Sequence, residues 1–182
     1  MDFIEKLLLA FSLAMDAFAV SVSIAISKGV LSNREKFRIY FHFGLFQFLY
    51  PVLGYYLMVV FSFNKTGYGK FIATVLLFFL GFKMIYEALF GDEEKVESDI
   101  TRGLNLVLFS TSVSIDALSV GISLGAVGGD IWLTAVLAGV ITSLMSYIGL
   151  KYGVKLGERL REYSEILGGI ILIAIALKIG FF

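Results

Sequence analysis

Six apolar segments constrain the fold of this chain more than any other feature, because each is long enough to cross a bilayer as an α-helix. They are Ile4–Ser27, Arg38–Ser62, Phe71–Phe90, Leu104–Val127, Ile131–Leu150 and Glu165–Phe181. A spanning helix needs roughly 20 predominantly apolar residues. Hydrophobic residues make up 58% of the 182 residues, which is more than a soluble domain carries. The sequence predicts an all-α, polytopic membrane protein with six transmembrane helices.

Two of these segments carry an aspartate in the middle of an apolar run. When Asp16 and Asp116 are aligned, Ser12–Ile24 and Ser112–Leu124 agree at five of thirteen positions. Most of the other positions exchange one apolar residue for another. We therefore interpret the chain as a duplicated unit of three helices.

An odd number of helices in each copy makes the second copy enter the membrane upside down. The prediction is two inverted three-helix repeats, at residues 1–90 and 104–182, joined by an acidic cytoplasmic linker at 91–103. Inverted repeats are common in secondary transporters, whose binding sites lie near the midplane where the repeats meet.

Basic residues are distributed unequally among the connections between the segments. The first, third and fifth connections carry 10 of the 15 Lys and Arg residues. Cytoplasmic loops are enriched in Lys and Arg. We expect these three connections to be cytoplasmic and both termini to lie outside.

The two intramembrane aspartates are the strongest candidates for a functional site. A charged side chain at the bilayer centre costs about 2.5–3.5 kcal/mol on insertion scales, so such residues usually mark a function. We predict a metal site made by Asp16 and Asp116, because two carboxylates neutralise one divalent ion and hard cations prefer oxygen ligands. Neutral oxygens are expected from the serines on the same helix faces and from polar residues at equivalent deep positions: Ser12, Ser112, Gln47 and Thr142.

Protons are the expected coupling ion. Without metal, two neighbouring carboxylates repel each other and are poorly solvated, so at least one is expected to hold a proton that metal entry would expel. Two alternatives stay open. Each aspartate could only hydrogen-bond serines of a neighbouring helix, or the two could form the dyad of an intramembrane aspartyl protease.

Three other titratable residues are candidates for gating or proton transfer. Lys83 and Glu87 lie one helical turn apart on the third segment, and a structural ion pair is the alternative for them. His42 begins the second segment near the predicted cytoplasmic face and could titrate near neutral pH, although a structural role is the alternative.

Composition excludes several other classes of function. A formal net charge of zero provides no basic field for nucleic acid. One His and no Cys argue against a structural zinc site, and no P-loop motif indicates ATP hydrolysis. We expect no catalytic residues and no permanently bound cofactor. The oligomeric state is undetermined.

Several motifs together resemble one known family. They are Met-Asp-Ala-Phe-Ala-Val-Ser at Met15–Ser21, Ser-Ile-Asp-Ala-Leu-Ser-Val-Gly at Ser114–Gly121, Phe46-Gln47 with Pro51 and Gly54, and the run Leu80–Glu87. Over nearly the whole chain the sequence resembles the MntP family of manganese efflux pumps, small six-span bacterial proteins of the LysE exporter superfamily.

The resemblance implies a transporter, not an enzyme, that exports Mn²⁺ as its substrate across the bacterial cytoplasmic (inner) membrane. It also implies that Asp16 and Asp116 are the essential intramembrane acids. The residues by themselves indicate only a hard, divalent cation. Export of another divalent cation or of a small amino acid is the alternative within transport.

Overall fold

The computed structural model describes residues 2–60, 68–91, 101 and 103–181. These residues form five α-helices and no strand: α1 (Phe3–Lys28), α2 (Asn33–Val60), α3 (Gly69–Phe90), α4 (Gly103–Val127) and α5 (Ile131–Phe181). All five are long and apolar enough to cross a membrane. The all-α, multi-pass prediction is confirmed, whereas most of the predicted linker at 91–103 lies outside the described residues.

The first two helices begin at reciprocal side-chain caps. Glu5 accepts a hydrogen bond from the Asp2 backbone N–H at 2.9 Å. Before α2, the Ser32 N–H donates to Glu35 at 2.8 Å and the Glu35 N–H donates to the Ser32 hydroxyl. Such capping boxes satisfy backbone donors that a helix start leaves unpaired. Gly29 ends α1 with φ of 68°, a left-handed conformation that glycine adopts without strain.

The last helix reverses its direction at Gly157. That residue is non-helical, with φ of 71° and ψ of 176°. Asp130, just before α5, pairs with Lys6 at 3.0 Å, and Lys178 near the end of α5 pairs with Glu5. Both ends of α5 therefore contact the same turn of α1, so the chain must fold back between them. The hydrogen bond from Lys6 also lowers the pKa of Asp130.

The basic connection predicted at 151–164 contains this reversal. The structure has its residues in helix on both sides of the non-helical Gly157. Lys, Arg, Glu and Leu are all good helix formers, so helix extends into the connection from both segments. We call 131–156 the first arm of α5 and 158–181 its second arm. The described residues form five helices, so the count of six stays a prediction.

Helix α1 lies between the two arms of α5 and is the most buried of the five helices. The first arm begins beside Lys6, and its Gly153 packs against Ala25, so it runs parallel to α1. In the second arm Gly168 packs against the Ser12 carbonyl and the helix runs the opposite way. Small residues allow this close approach on both sides of α1.

Helix α4 occupies the corresponding place between α2 and α3. Gly121 of α4 packs against the backbone of Pro51, and Gly125 packs against Met58, so α2 and α4 are parallel. Gly69, the first residue of α3, lies against the carbonyl of Ala126 near the end of α4. Helix α3 is therefore antiparallel to α4.

Helix α2 also packs on the first arm of α5. The rings of Tyr40 and Tyr147 lie edge to face at 5.6 Å, and Gly44 packs against the Gly139 carbonyl. Residue numbers rise along α2 while those of the contacted residues fall along the first arm, so the two helices are antiparallel. It follows that α4 runs opposite to α1, which is parallel to the first arm.

Large apolar side chains cover the outer surface of the bundle. Phe79 on α3 is 67% exposed and Val140 on α5 is 55% exposed. A soluble monomer rarely exposes continuous apolar surface of this kind, whereas lipid tails cover it without cost. The described chain is thus a multi-pass membrane protein with its small and polar residues turned inward.

Glycine at the contact of α3 with the second arm of α5 is required for packing. A Cβ on Gly81 would lie 2.6 Å from the Gly169 carbonyl oxygen, which is backbone and cannot rotate away. We expect Gly81→Ala to destabilise the protein by about 1–3 kcal/mol, the usual cost of overpacking. Thermal unfolding of the purified protein in detergent measures this loss.

The matched control is Val75→Ala on the same helix, where the side chain is 48% exposed. It should leave the unfolding temperature close to that of the wild type. An equal unfolding temperature for Gly81→Ala and the wild type would contradict the packing described for these two helices.

Candidate functional site

A partly buried ion pair joins α3 and α4, with the Lys83 side chain 35% and the Asp116 side chain 21% exposed. The Lys83 ammonium of α3 donates to Asp116 Oδ2 of α4 at 2.7 Å. Glu87 Oε1, one turn further along α3, is 3.7 Å from the same ammonium. The predicted Lys83–Glu87 pair is present, but Asp116 is the closer partner.

Asp16 lies in the middle of α1. Its carboxylate interacts electrostatically with four charged groups: Asp116, Lys83, Glu165 and Glu87. Side chains next to the pair and to Asp16 pack in one apolar cluster, among them Met15, Met84 and Ala117. The fold therefore brings the two predicted aspartates into one charged cluster inside the bundle. Their role as metal ligands stays a prediction.

Gln47 and Thr142 are both buried at central positions of their helices. Gln47 is 2% exposed and donates from Nε2 to the Leu13 carbonyl at 3.2 Å. Gln47 Oε1 and the hydroxyl of fully buried Thr142 have no hydrogen-bond partner in the described structure. Leaving a buried polar atom unpaired costs about 1–3 kcal/mol, so both oxygens are available to a ligand.

The two serines predicted at equivalent positions have different surroundings. Ser12 is fully buried, and its hydroxyl donates to the Gly168 carbonyl of α5. Ser112 is exposed on the surface of α4. The Ser12 hydroxyl thus ties α1 to the second arm of α5, while Ser112 does not share that buried environment.

Other buried hydroxyls without a partner flank these residues. Ser114 lies two residues before Asp116, and Ser146 lies one turn after Thr142. Buried polar atoms in native proteins are nearly always paired with protein, water or ions. Sequence reasoning did not single out these two serines, although a polar residue at helical spacing from a predicted ligand was a usable signal.

Glu165 is the charged residue that the sequence analysis missed. It is 8% exposed, pairs with Arg161 at 3.2 Å and leaves its second oxygen without a partner in the described structure. It also interacts electrostatically with Asp16 and Glu87. The usable signal was its position one turn before the Gly168–Gly169 pair, on the face that packs against other helices.

His42 has only local contacts in the described structure. Its Nδ1 lies 2.7 Å from the Arg38 carbonyl, and its ring packs edge to face against Phe41. Arg38 is one turn earlier on the same helix. These contacts fit the structural alternative for His42 rather than a place in the charged cluster.

The site is poor in strong metal ligands. The described residues contain no group of three or more His, Cys, Asp or Glu side chains that could hold a metal ion. A cation bound by Asp16 and Asp116 must therefore complete its coordination with neutral oxygens and water. A site of this kind suits an ion that is bound and released, since few protein ligands must be exchanged on departure.

The family model and the relatives that match this chain carry the same description. The family model described as "Mntp: Putative manganese efflux pump" matches residues 30–179. A protein of Syntrophotalea carbinolica named "Putative manganese efflux pump MntP" is 44% identical over 181 residues, covering 98% of this chain and 96% of the relative. A Methanosarcina mazei protein of the same name is 39% identical over 179 residues, covering 98% and 96%.

No solved structure matches the chain. The family match covers most of the sequence and the relatives align over nearly their full length. A multi-pass helical bundle with charged residues in its interior is also what a transporter of ions requires. The chain therefore belongs to the MntP family of manganese efflux pumps.

Proposed function

We propose that this protein exports Mn²⁺ from the bacterial cytoplasm across the inner membrane, with Asp16 and Asp116 as the acids that bind the ion. The observation that carries the proposal is the charged cluster inside the bundle, where Asp116, Lys83 and Asp16 act on one another. Manganese as substrate comes from the printed names of the family and its relatives. Carboxylate and neutral oxygens are ligands that suit Mn²⁺.

The transport unit in this proposal is a pair of inverted repeats with six membrane crossings. Opposite directions of α1 and α4 support it, and so does the reversal of α5 at Gly157. Equivalent glycines make equivalent contacts. Gly54 packs against Leu118 of α4, and Gly149 packs against Phe18 of α1. These two contacted residues occupy matching places two positions after the aspartates.

Glycine pairs at the centre of the bundle also support a twofold relation between the halves. Gly44 and Gly139, which align in the two copies, pack against each other's carbonyl oxygens. Gly81 and Gly169 make the same kind of reciprocal contact between α3 and the second arm of α5. Self-contact of aligned residues such as Gly44 and Gly139 is expected only next to a symmetry axis.

Neutral oxygens complete the proposed coordination shell. Gln47 and Thr142 occupy equivalent positions, are buried and carry unpaired oxygens. With two carboxylates and such neutral groups, the ion keeps part of its water shell, as small hard cations commonly do. Ser12 donates its hydroxyl to Gly168 and supports the site chiefly by holding α1 in place.

The orientation of the protein in the membrane follows from the charges at the two ends of the bundle. Eight Lys and Arg residues of the described chain lie at the end that contains Gly157: Lys28, Arg34, Lys36, Arg38, Lys151, Lys155, Arg159 and Arg161. The opposite end contains Lys6, Lys70 and Lys178. The positive-inside rule makes the Gly157 end cytoplasmic and puts both termini outside.

Proton exchange is the proposed source of energy. Two carboxylates in an apolar bundle cannot both remain charged without compensation, and the compensating charge must leave when a divalent cation binds. A proton on one aspartate supplies part of it, so that a proton moves inward as Mn²⁺ moves out. The Lys83 ammonium supplies the rest.

A protease dyad is disfavoured by the same geometry. The two aspartates of such a dyad share a proton and activate water between them. Here Asp116 is bonded to Lys83, which neutralises it and occupies the space beside it. Other divalent cations and small amino acids are distinguished from Mn²⁺ by competition in the flux experiment below.

Removing either carboxylate should stop transport. We expect Asp16→Asn and Asp116→Asn each to lower Mn²⁺ flux into liposomes under an imposed pH difference by at least about tenfold, which corresponds to 1.4 kcal/mol of lost interaction. Excess Ca²⁺, Cd²⁺ or lysine on the binding side tests the substrate. If excess lysine inhibited the measured flux more strongly than excess Mn²⁺ does, the amino-acid alternative would be favoured.

The control for charge removal is Asp130→Asn. Asp130 is exposed and lies at the far end of α5 from Gly157, so its loss should leave the flux close to that of the wild type. Exposed ion pairs contribute little to stability. Wild-type flux in both Asp16→Asn and Asp116→Asn would contradict the proposed metal site.

Topology can be tested cleanly because the chain has no cysteine. Val30, between α1 and α2, is fully exposed, and Tyr68, before α3, is 68% exposed. In intact cells we expect a membrane-impermeant maleimide to label Tyr68→Cys and to spare Val30→Cys, because only the former faces outward. Permeabilised cells should show both labelled. The reverse pattern in intact cells would contradict the proposed orientation.

A further inference from the structure

We propose that Lys83 is a tethered cation that holds the Asp116 carboxylate between transport cycles and moves to Glu87 when a metal ion binds. This inference rests on the proposed function, since it assigns a role to the lysine beside the proposed metal ligand. The protein thus carries its own competitor for the transported ion.

The position of Lys83 is that of a bound cation. Its ammonium is 2.7 Å from Asp116 Oδ2 and interacts electrostatically with Asp16 as well. A metal ion held by the two aspartates would lie against the same carboxylate group. Two cations crowded onto one carboxylate repel each other, and the interior screens this repulsion weakly. The ammonium must therefore withdraw before the metal ion can bind.

Glu87 provides a place for the withdrawn ammonium. Its Oε1 lies 3.7 Å from Lys83 Nζ, one turn along the same helix toward the Gly157 end. The four-carbon stem of lysine is flexible, so a rotation of the side chain exchanges one carboxylate for the other without moving α3. The Lys83 side chain is 35% exposed, which leaves room for that rotation.

This exchange accounts for the presence of a lysine inside a membrane helix. Buried ion pairs are often replaceable by apolar residues without loss of stability, so stability alone does not require a lysine here. In a transporter, the Lys83–Asp116 pair can also act on metal binding and release. The ammonium keeps Asp116 neutralised when no ion is bound, and its return to Asp116 weakens metal binding and promotes release.

Removing the tethered cation should tighten metal binding and slow turnover. We expect Lys83→Met to lower the Kd for Mn²⁺ by at least about tenfold, as measured on the full chain in nanodiscs by the electron paramagnetic resonance of free Mn²⁺. Both the maximal rate and the KM of Mn²⁺ flux should fall together. A structural role for Lys83 would lower stability and weaken binding instead.

Two variants make the result specific to Lys83. Lys70→Met removes the same kind of charge near the start of α3, far from Asp116, and should leave the Kd unchanged. Lys83→Cys, in a chain with no other cysteine, can be aminoethylated to restore an ammonium. The unmodified variant should bind Mn²⁺ more tightly, and aminoethylation should return the Kd to the wild-type value. This second variant also decides the matter if Lys83→Met does not fold.

The two proposals fail in different ways. Asp116→Asn should abolish Mn²⁺ binding, and retained binding in that variant would overturn the proposed metal site. Loss of binding in Asp116→Asn together with an unchanged or weaker affinity in Lys83→Met and in unmodified Lys83→Cys would overturn the tethered cation alone. In that case, the metal site would stand.

Discussion

The bonding of Lys83 to Asp116 is the interaction on which the interior of this protein depends. An aspartate and a lysine at the middle of a membrane bundle are each costly by themselves. Bonded at 2.7 Å, they neutralise each other and fix α3 against α4. Asp16 interacts electrostatically with the same pair from α1, so that one charged cluster connects three helices that also share an apolar cluster.

Close backbone contact is what allows this cluster to form. Glycines and other small residues line the packed helix faces, so carbonyl groups of one helix lie against the bare Cα atoms of the next. Lipid tails are as apolar as leucine, and membrane helices therefore associate through such packing rather than through hydrophobic burial. Close packing also places short side chains such as aspartate within reach of a neighbouring helix. Glycine packing and the charged site are thus parts of one arrangement.

The aspartates and two of the neutral residues of the candidate site could be identified from single positions in the sequence. Asp16 and Asp116 stood out because each interrupts an apolar run at the same place in a duplicated stretch, and Gln47 and Thr142 followed from the same alignment. The partner of Lys83 could not be predicted in this way. Glu87 was visible as a neighbour one turn away, whereas Asp116 becomes the closer partner only through the antiparallel register of α3 and α4.

The sequence by itself determined that the chain is helical and crosses a membrane, because the length and apolarity of a segment decide this locally. It also singled out Asp16 and Asp116, because each interrupts an apolar run at the same place in a duplicated stretch. Tertiary structure alone decided that the reversal between the two arms of α5 falls at Gly157, that Glu165 joins the charged residues around Asp16, and that Ser112 is exposed while Ser12 is buried. These features depend on which helix faces meet, and helix packing is set by contacts between residues far apart in the chain.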